Sequence, residues 1–337
     1  MAIIHMDGCD SYTAWSDVSV RYPGSSTSGT LNATGGRFGG QCLFPSGSLK
    51  VSFPHTGSSA VFVGGSVNFS DTTTNYTVLY LMNTTTGSET TEVSVNIDNG
   101  IIRLYRGSQV TLVASSTVLF APMVWHHMEV KATIADSGGN VEVRMNGVTV
   151  INYTGDTRAS SSGTAGLDRI IWNGPSSTKG AFDDIYIIDS TGTPNTFVGD
   201  CRINSLAPTS DSSVQFTRST GASNYLCVDE VKQNSDTDYV ESSTVGHKDV
   251  YGYADLSASV AQVHGVQTLV WMKKTDAASR TVRSLVVSGG VTANGAAAGL
   301  NTSYTPIPTI VSTDPATGAQ WTASAVNSAT AGFEIVS

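Results

Sequence analysis

A chain of 337 residues is long enough for one large or two modest all-β domains whose cores need no staples, which excludes a peptide-like effector. Only 13% of residues are charged, and 18 Lys plus Arg stand against 27 Asp plus Glu. The resulting formal charge of −9 disfavours wrapping nucleic acid or an anionic membrane surface.

The N-terminus, Met1 to Asp7, has no basic region ahead of its apolar stretch, so no export signal is read and folding is expected in the cytoplasm. The longest apolar run, Val118 to Trp125, is far short of the ~20 residues that cross a bilayer. Helical periodicity is almost absent, whereas period-two alternation recurs between clusters of Gly, Asn, Asp, Ser and Thr, the pattern of an all-β chain. In order, strands are expected at Val61–Phe69, Tyr76–Met82, Glu92–Ile97 and Ile101–Leu112, the last two joined by the Asp98-Asn99-Gly100 hairpin turn. Met128, Val130, Ala132 and Ile134 then share one strand face, with Glu129, Lys131 and Thr133 on the other. Val141, Val143 and Met145 lead into Asn146-Gly147, a second type I′ signal, after which Val148–Tyr153 returns antiparallel. Asp168–Trp172 and Phe182–Asp189 complete a set of strands too large for one hairpin sheet, so a two-layer sandwich is expected.

Turn chemistry at residues 189–195 places a domain boundary there, giving domains 1–192 and 193–337. The second is expected to be mostly β, with strands at Val214–Thr217, Val263–Lys273, Thr281–Val287 and Ala319–Thr322 and one short helix near Asp255–Ala261.

The strands from Trp125, the Val141–Val148 stretch with its Asn-Gly turn, and Phe182-Asp183-Asp184-Ile185 together resemble the laminin-G or concanavalin A-like jelly roll. The opening Met6–Tyr12 and the Gly35–Gly40 turn resemble the starts of structural proteins of tailed bacteriophages, although Cys9 replaces the usual aromatic. Gly199–Ile203, Asp238-Tyr239-Val240 and Asp314–Thr322 carry the same resemblance in the second half. It implies an N-terminal jelly-roll sandwich whose terminal strands, Ile3–Asp7 and Phe182–Asp189, lie side by side. It also implies a virion protein, on the head or the tail, with other virion proteins as partners. Fold alone does not choose a role.

Chemistry is sparse. Glycan hydrolysis needs two carboxylates flanking the scissile bond, yet Glu142 has no strand-spaced partner and Glu129 is followed at i+2 by Lys131, so no enzyme is expected. Asp183, Asp184 and Asp189 are the densest acids of the first domain and invite a calcium site, but alternation sets Asp183 and Asp189 on one face and Asp184 on the other. The expected arrangement is that one of them anchors backbone donors of a neighbouring strand end and the others are solvated. His126 and His127 face opposite ways and cannot chelate one metal, with His126 expected toward the core. Gly35–Gly40 leads into strand-like residues, so it is a turn and not a phosphate cradle. Cys9, Cys42, Cys201 and Cys227 lack zinc or disulfide spacing and are expected buried and reduced. The six Asn-x-Ser/Thr sequons, at Asn32, Asn68, Asn75, Asn83, Asn152 and Asn301, follow from composition. Asp229, Glu230, Asp236, Asp238 and Glu241 are expected on a solvated face.

These readings converge on a non-enzymatic virion structural protein without cofactor or metal, or alternatively a carbohydrate-binding module for host glycans. Self-association through the second domain is expected because Val263–Lys273 is apolar enough to be covered on both faces, with Trp271 as contact anchor or, alternatively, as an intradomain core residue, and the phage resemblance implies that the oligomer is a trimer.

Overall fold

The computed structural model describes residues 3–57, 59–85, 89–257 and 259–337. The chain divides into two compact units, one of Met1–Asp10 with Ala14–Ile203 and one of Ser11–Thr13 with Asn204–Ser337.

The first unit holds β1 (Ile3–Asp7), α1 (Trp15–Arg21), β2 (Gly29–Asn32), β3 (Cys42–Pro45), β4 (Gly47–Ser52), β5 (Val61–Phe69), β6 (Tyr76–Asn83) and β7 (Thr90–Asp98). It continues with β8 (Ile101–Arg106), β9 (Thr111–Leu119), β10 (His126–Thr133), β11 (Gly139–Met145), β12 (Val148–Gly155), β13 (Arg169–Gly174) and β14 (Gly180–Asp189). One sheet runs β12-β11-β10-β5-β14-β3-β2 with β1 on β14, and the other runs β4-β13-β6-β7-β8-β9. This is the jelly-roll sandwich. Between the sheets, alternate residues of β5, β10 and β11 are buried, as are Trp172, Phe69 and Phe182, each fully. Each such side chain contributes on the order of 1.5–3 kcal/mol by leaving water. The rings of Phe69 and Trp172 both meet Phe182 edge-on at 5.7 Å.

Both expected hairpin turns form, with Asn99 and Gly100 at φ 50° and 75° and Asn146 and Gly147 at 50° and 79°. The terminal strands pair as expected, Met6 opposite Tyr186 and Asp7 opposite Ile185. The expected strand over Ile101–Leu112 is instead two, β8 and β9, because the chain turns at Gly107 with φ 76°. Helix α1 is an addition that periodicity did not reveal: seven residues hold few apolar repeats, and its first turn is fixed by Asp17, which accepts from Ala14 N–H at 2.9 Å.

The second unit holds β15 (Pro208–Val214), β16 (Thr217–Arg218), β17 (Val240–Glu241), β18 (Lys248–Tyr253), β19 (Val266–Met272), β20 (Thr281–Ser288) and β21 (Val291–Asn294). It ends with β22 (Ala298–Gly299), β23 (Thr305–Val311), α2 (Ala323–Ser328) and β24 (Thr330–Ile335). Its main sheet is β15-β18-β24-β20-β21 with β22 on β20, beside the ribbons β16-β17 and β19-β23. Phe216, Tyr251, Val282, Ile307, Phe333 and Ile335 form its core.

Three expectations for this unit are corrected. Around Asp255–Ala261 the described residues are not helical, and Ala258 lies outside them. Ala319–Thr322 is no strand. Asp314 ties the preceding turn by accepting from Ala316 N–H and Thr317 Oγ1, and Thr322 caps α2 by accepting from Ala325 N–H at 3.0 Å. Between them Trp321 is buried and donates to the Val311 carbonyl at 2.9 Å. The strand expected at Val214–Thr217 is divided, since Gln215 and Phe216 leave the sheet to donate their N–H groups to Asp249.

Candidate functional site

Two regions of the first unit gather unusual side chains. The first is the outer face of the β10-β5-β14 sheet. Residues 193–203, expected to open the second domain, belong to the first unit and pack on this face. Gly199 N–H donates to Glu129 Oε1 at 2.9 Å, Ile203 N–H to Asp184 Oδ1 at 2.7 Å, and Arg37 forms an ion pair with Asp200. Phe197 meets Phe62 edge-on at 5.2 Å and lies 4.0 Å beneath the Arg144 guanidinium.

Beneath this segment Glu129 is 1% exposed, where alternation alone leaves it in solvent. Its Oε1 also accepts from Tyr186 Oη at 2.6 Å. Tyr186 finds room because β5 carries Gly64 opposite it, and a Cβ there would lie 2.1 Å from the ring. His127, not His126, is the fully buried histidine, with Nδ1 3.4 Å from Ser66 Oγ. Burial lowers its pKa, partly offset by Glu129 and Asp200. His126 lies at the rim of the core face, half-buried against Phe120 at 4.3 Å.

The alternation expected for Asp183, Asp184 and Asp189 does not hold, because β14 bulges between Asp183 and Tyr186 and Asp184 adopts φ 52°. The extra residue turns Asp183 and Asp184 toward the same surroundings. Asp189 stays apart, accepting from Thr191 N–H at 2.9 Å. Asp183 accepts from Arg37 N–H at 2.9 Å and Asp184 N–H at 2.8 Å, so two buried acids anchor backbone donors where one was expected to do so and the others to be solvated. Burial raises both carboxyl pKa values, and the charge of Asp184 adds to the rise at Asp183. Asp184 Oδ2 is buried without a hydrogen-bond partner among the described residues, an oxygen on which a proton is accommodated without loss of a contact. The Gly35–Gly40 turn gives its Arg37 N–H to Asp183, and Gln41 just after it donates its N–H to Asp10 Oδ1 at 2.8 Å, so these donors serve the protein's own carboxylates. Among the described residues no group of three or more His, Cys, Asp and Glu is arranged to hold a metal ion. Cys9, Cys42 and Cys227 are buried and Cys201 is half-buried.

The second region is an apolar edge. Strands β9 and β12 end their respective sheets, and between them opens a cavity of about 240 Å³ lined by Ile102, Val118, Leu119, Phe120, Met145 and Val148, with His126 and Asn146 at its polar rim. Beside it Leu119 and Met123 are 66% and 76% exposed. From Gly107 to Met128 there is no Asp, Glu, Lys or Arg, a sequence signal for this edge that strand periodicity alone passes over.

Glu142 accepts from Arg144 Nε and Thr149 Oγ1, both at 2.7 Å, with no carboxylate beside it in the strand. In the second unit Trp271 stands half-buried on β19 opposite Pro306, its Nε1 buried without an acceptor among the described residues. Asp236 of the acidic stretch pairs with Lys273 at 2.6 Å. Another exposed feature is Phe38, 47% exposed, with the guanidinium carbons of Arg37 and Arg202 4.9 and 5.0 Å from its ring centroid.

No protein-family model and no curated protein matches the chain. Among solved structures, the chain is similar to the galectin LEC-6 of Caenorhabditis elegans, at 11% identity and TM-score 0.31 over 43% of this chain and 92% of the galectin. It is similar to the carbohydrate-binding module CBM66 of Bacillus subtilis, at 14% identity and TM-score 0.30 over 48% of this chain and 92% of that one. It is also similar to part of a sialidase, at 11% identity and TM-score 0.33 over 46% of this chain, and spans 15% of that sialidase's length.

Proposed function

We propose that this chain is a non-enzymatic structural protein of a tailed-bacteriophage particle, made in the host cytoplasm and held in the particle by contacts with neighbouring virion proteins. The phage assignment rests on the resemblance of Met6–Tyr12, Gly35–Gly40 and Asp314–Thr322 to such proteins. The observation that carries the assembly role is the charge-free apolar edge around Val118, Leu119 and Met123, since contiguous exposed apolar surface of this kind is what a protein interface buries. A second contact, through the β19-β23 ribbon with Trp271 as anchor, builds the trimer. The absence of catalysis is supported by the engagement of Glu129, Asp183 and Asp184 with backbone donors. Peptide mass spectrometry of purified particles from a host carrying this gene tests the reading. Stoichiometric recovery of the chain is expected, and its absence from the particles contradicts it.

A second reading, adhesion to host glycan, is favoured by Phe38. An exposed ring beside the Arg202 guanidinium, with that of Arg37 already paired to Asp200, offers stacking and one cation to an acidic sugar. Saturation-transfer NMR with uronate oligosaccharides tests this reading: signal lost in Phe38→Ala supports it, and absence of signal from the native chain removes it.

A further inference from the structure

The apolar edge has a shape as well as a composition. Strands β9 and β12 each have a ladder partner on one side only, so the outer backbone groups of two neighbouring edges are open. The cavity between them is about 240 Å³, the scale of one large side chain, and its walls are apolar except at His126 and Asn146. Phe120 and His126, which line it, bracket the loop that carries Met123. That loop is held outward. Met123 adopts φ 59°, a left-handed conformation uncommon for a long side chain, while its N–H donates to the Phe69 carbonyl at 2.7 Å.

We infer that the first unit pairs with a second copy of itself across a two-fold axis, Met123 of each copy entering the β9-β12 cavity of the other. The occupant follows from charge and shape. Natural edges exposed to solvent are usually guarded by charge, and residues 107–128 contain no Asp, Glu, Lys or Arg, so the complementary surface must be uncharged as well. This edge satisfies that condition for itself, and it presents a knob and a hole side by side, the requirement for an isologous contact. Methionine suits the role because its unbranched side chain adapts to an irregular apolar hole. The inference rests on the assembly reading and names the partner at the surface that reading invokes.

Sedimentation velocity on the full chain at tens of micromolar, with Met123→Asp and Met123→Leu variants, tests it. The expected result is association weakened at least tenfold by Met123→Asp and retained by Met123→Leu. Because these loop variants can alter more than the contact, a Met123→Cys/Val148→Cys chain is oxidised in parallel. A cross-linked species of twice the chain mass is expected there and not from the native chain. A single species of 35.1 kDa, a mass indifferent to Met123→Asp, or no cross-link overturns the inference. So does a native chain that is monomeric alone and captures another purified virion protein through this edge, an outcome that leaves the structural role intact. Absence of the chain from purified particles ends the structural role and leaves the self-pairing untouched.

Discussion

Tyr186 donates its phenolic proton to Glu129 at 2.6 Å, across a strand whose Gly64 leaves the ring its space, and the same carboxylate oxygen receives the Gly199 N–H. One buried acid thereby fastens β10, β14 and the segment 193–203 together. Replacing Tyr186 by Phe leaves that buried carboxylate short of a donor, at a cost of about 1–3 kcal/mol. A melting midpoint lowered by roughly 2–8 °C is expected. Hydrogen exchange should accelerate in peptides covering 193–203, and an unchanged exchange rate there argues against the clasp.

The Asp183–Asp184 pair makes stability depend on pH with a definite sign. Burial and the neighbouring charge lift Asp183 to about 8, so the folded chain keeps a proton that the unfolded chain releases in the ordinary carboxylate range. Raising the pH from that range to about 8 therefore favours unfolding on account of this pair. Asp10, Cys9, Cys42, Arg37, Arg202 and Cys201 also act on the two acids or are acted on by them. In Asp183→Asn the slope of stability against pH over this interval should flatten. An identical slope in native and variant chains contradicts the assignment.

The sandwich was legible because its strands alternate and its turns carry Asn-Gly, and Val61–Phe69 matches the observed strand end to end. The outer face was not, because period-two patterning assigns Glu129 to solvent and takes no account of a later segment folding over it. Bulges are equally invisible to alternation: one extra residue at Asp184 reverses the relation of Asp183 to Asp189. In the second unit the signal was weaker still. Asp249 and Asp314 shape loops through bonds to backbone N–H groups, and such bonds leave no periodic trace in sequence.

Asp249 is fully buried and accepts from Gln215 N–H, Phe216 N–H, Asn224 Nδ2 and Tyr251 Oη at 2.6, 2.8, 2.8 and 2.8 Å. Asp249→Ala strands four donors and should cost about 3 kcal/mol or more. The loss should register as reduced urea resistance and faster exchange in peptides covering 208–253. Resistance within 0.5 kcal/mol of native, on the order of an ordinary surface change, is incompatible with this clasp.

Trp271→Ala addresses the second contact separately. If the β19-β23 ribbon builds the trimer, light scattering should report a lower mass for the variant, while the cysteine cross-link between first units persists. An unchanged mass removes Trp271 from the assembly.

Incorporation of Leu119→Lys into particles tests the central claim most directly. Leu119 is 66% exposed beside the cavity, so a lysine there charges the edge without entering the core. The variant, supplied in place of the native chain and shown soluble with native circular dichroism, is quantified by mass spectrometry in purified particles. Native chain recovered at full stoichiometry and variant depleted at least tenfold is the predicted result. Equal incorporation of the two, or absence of both, contradicts the account.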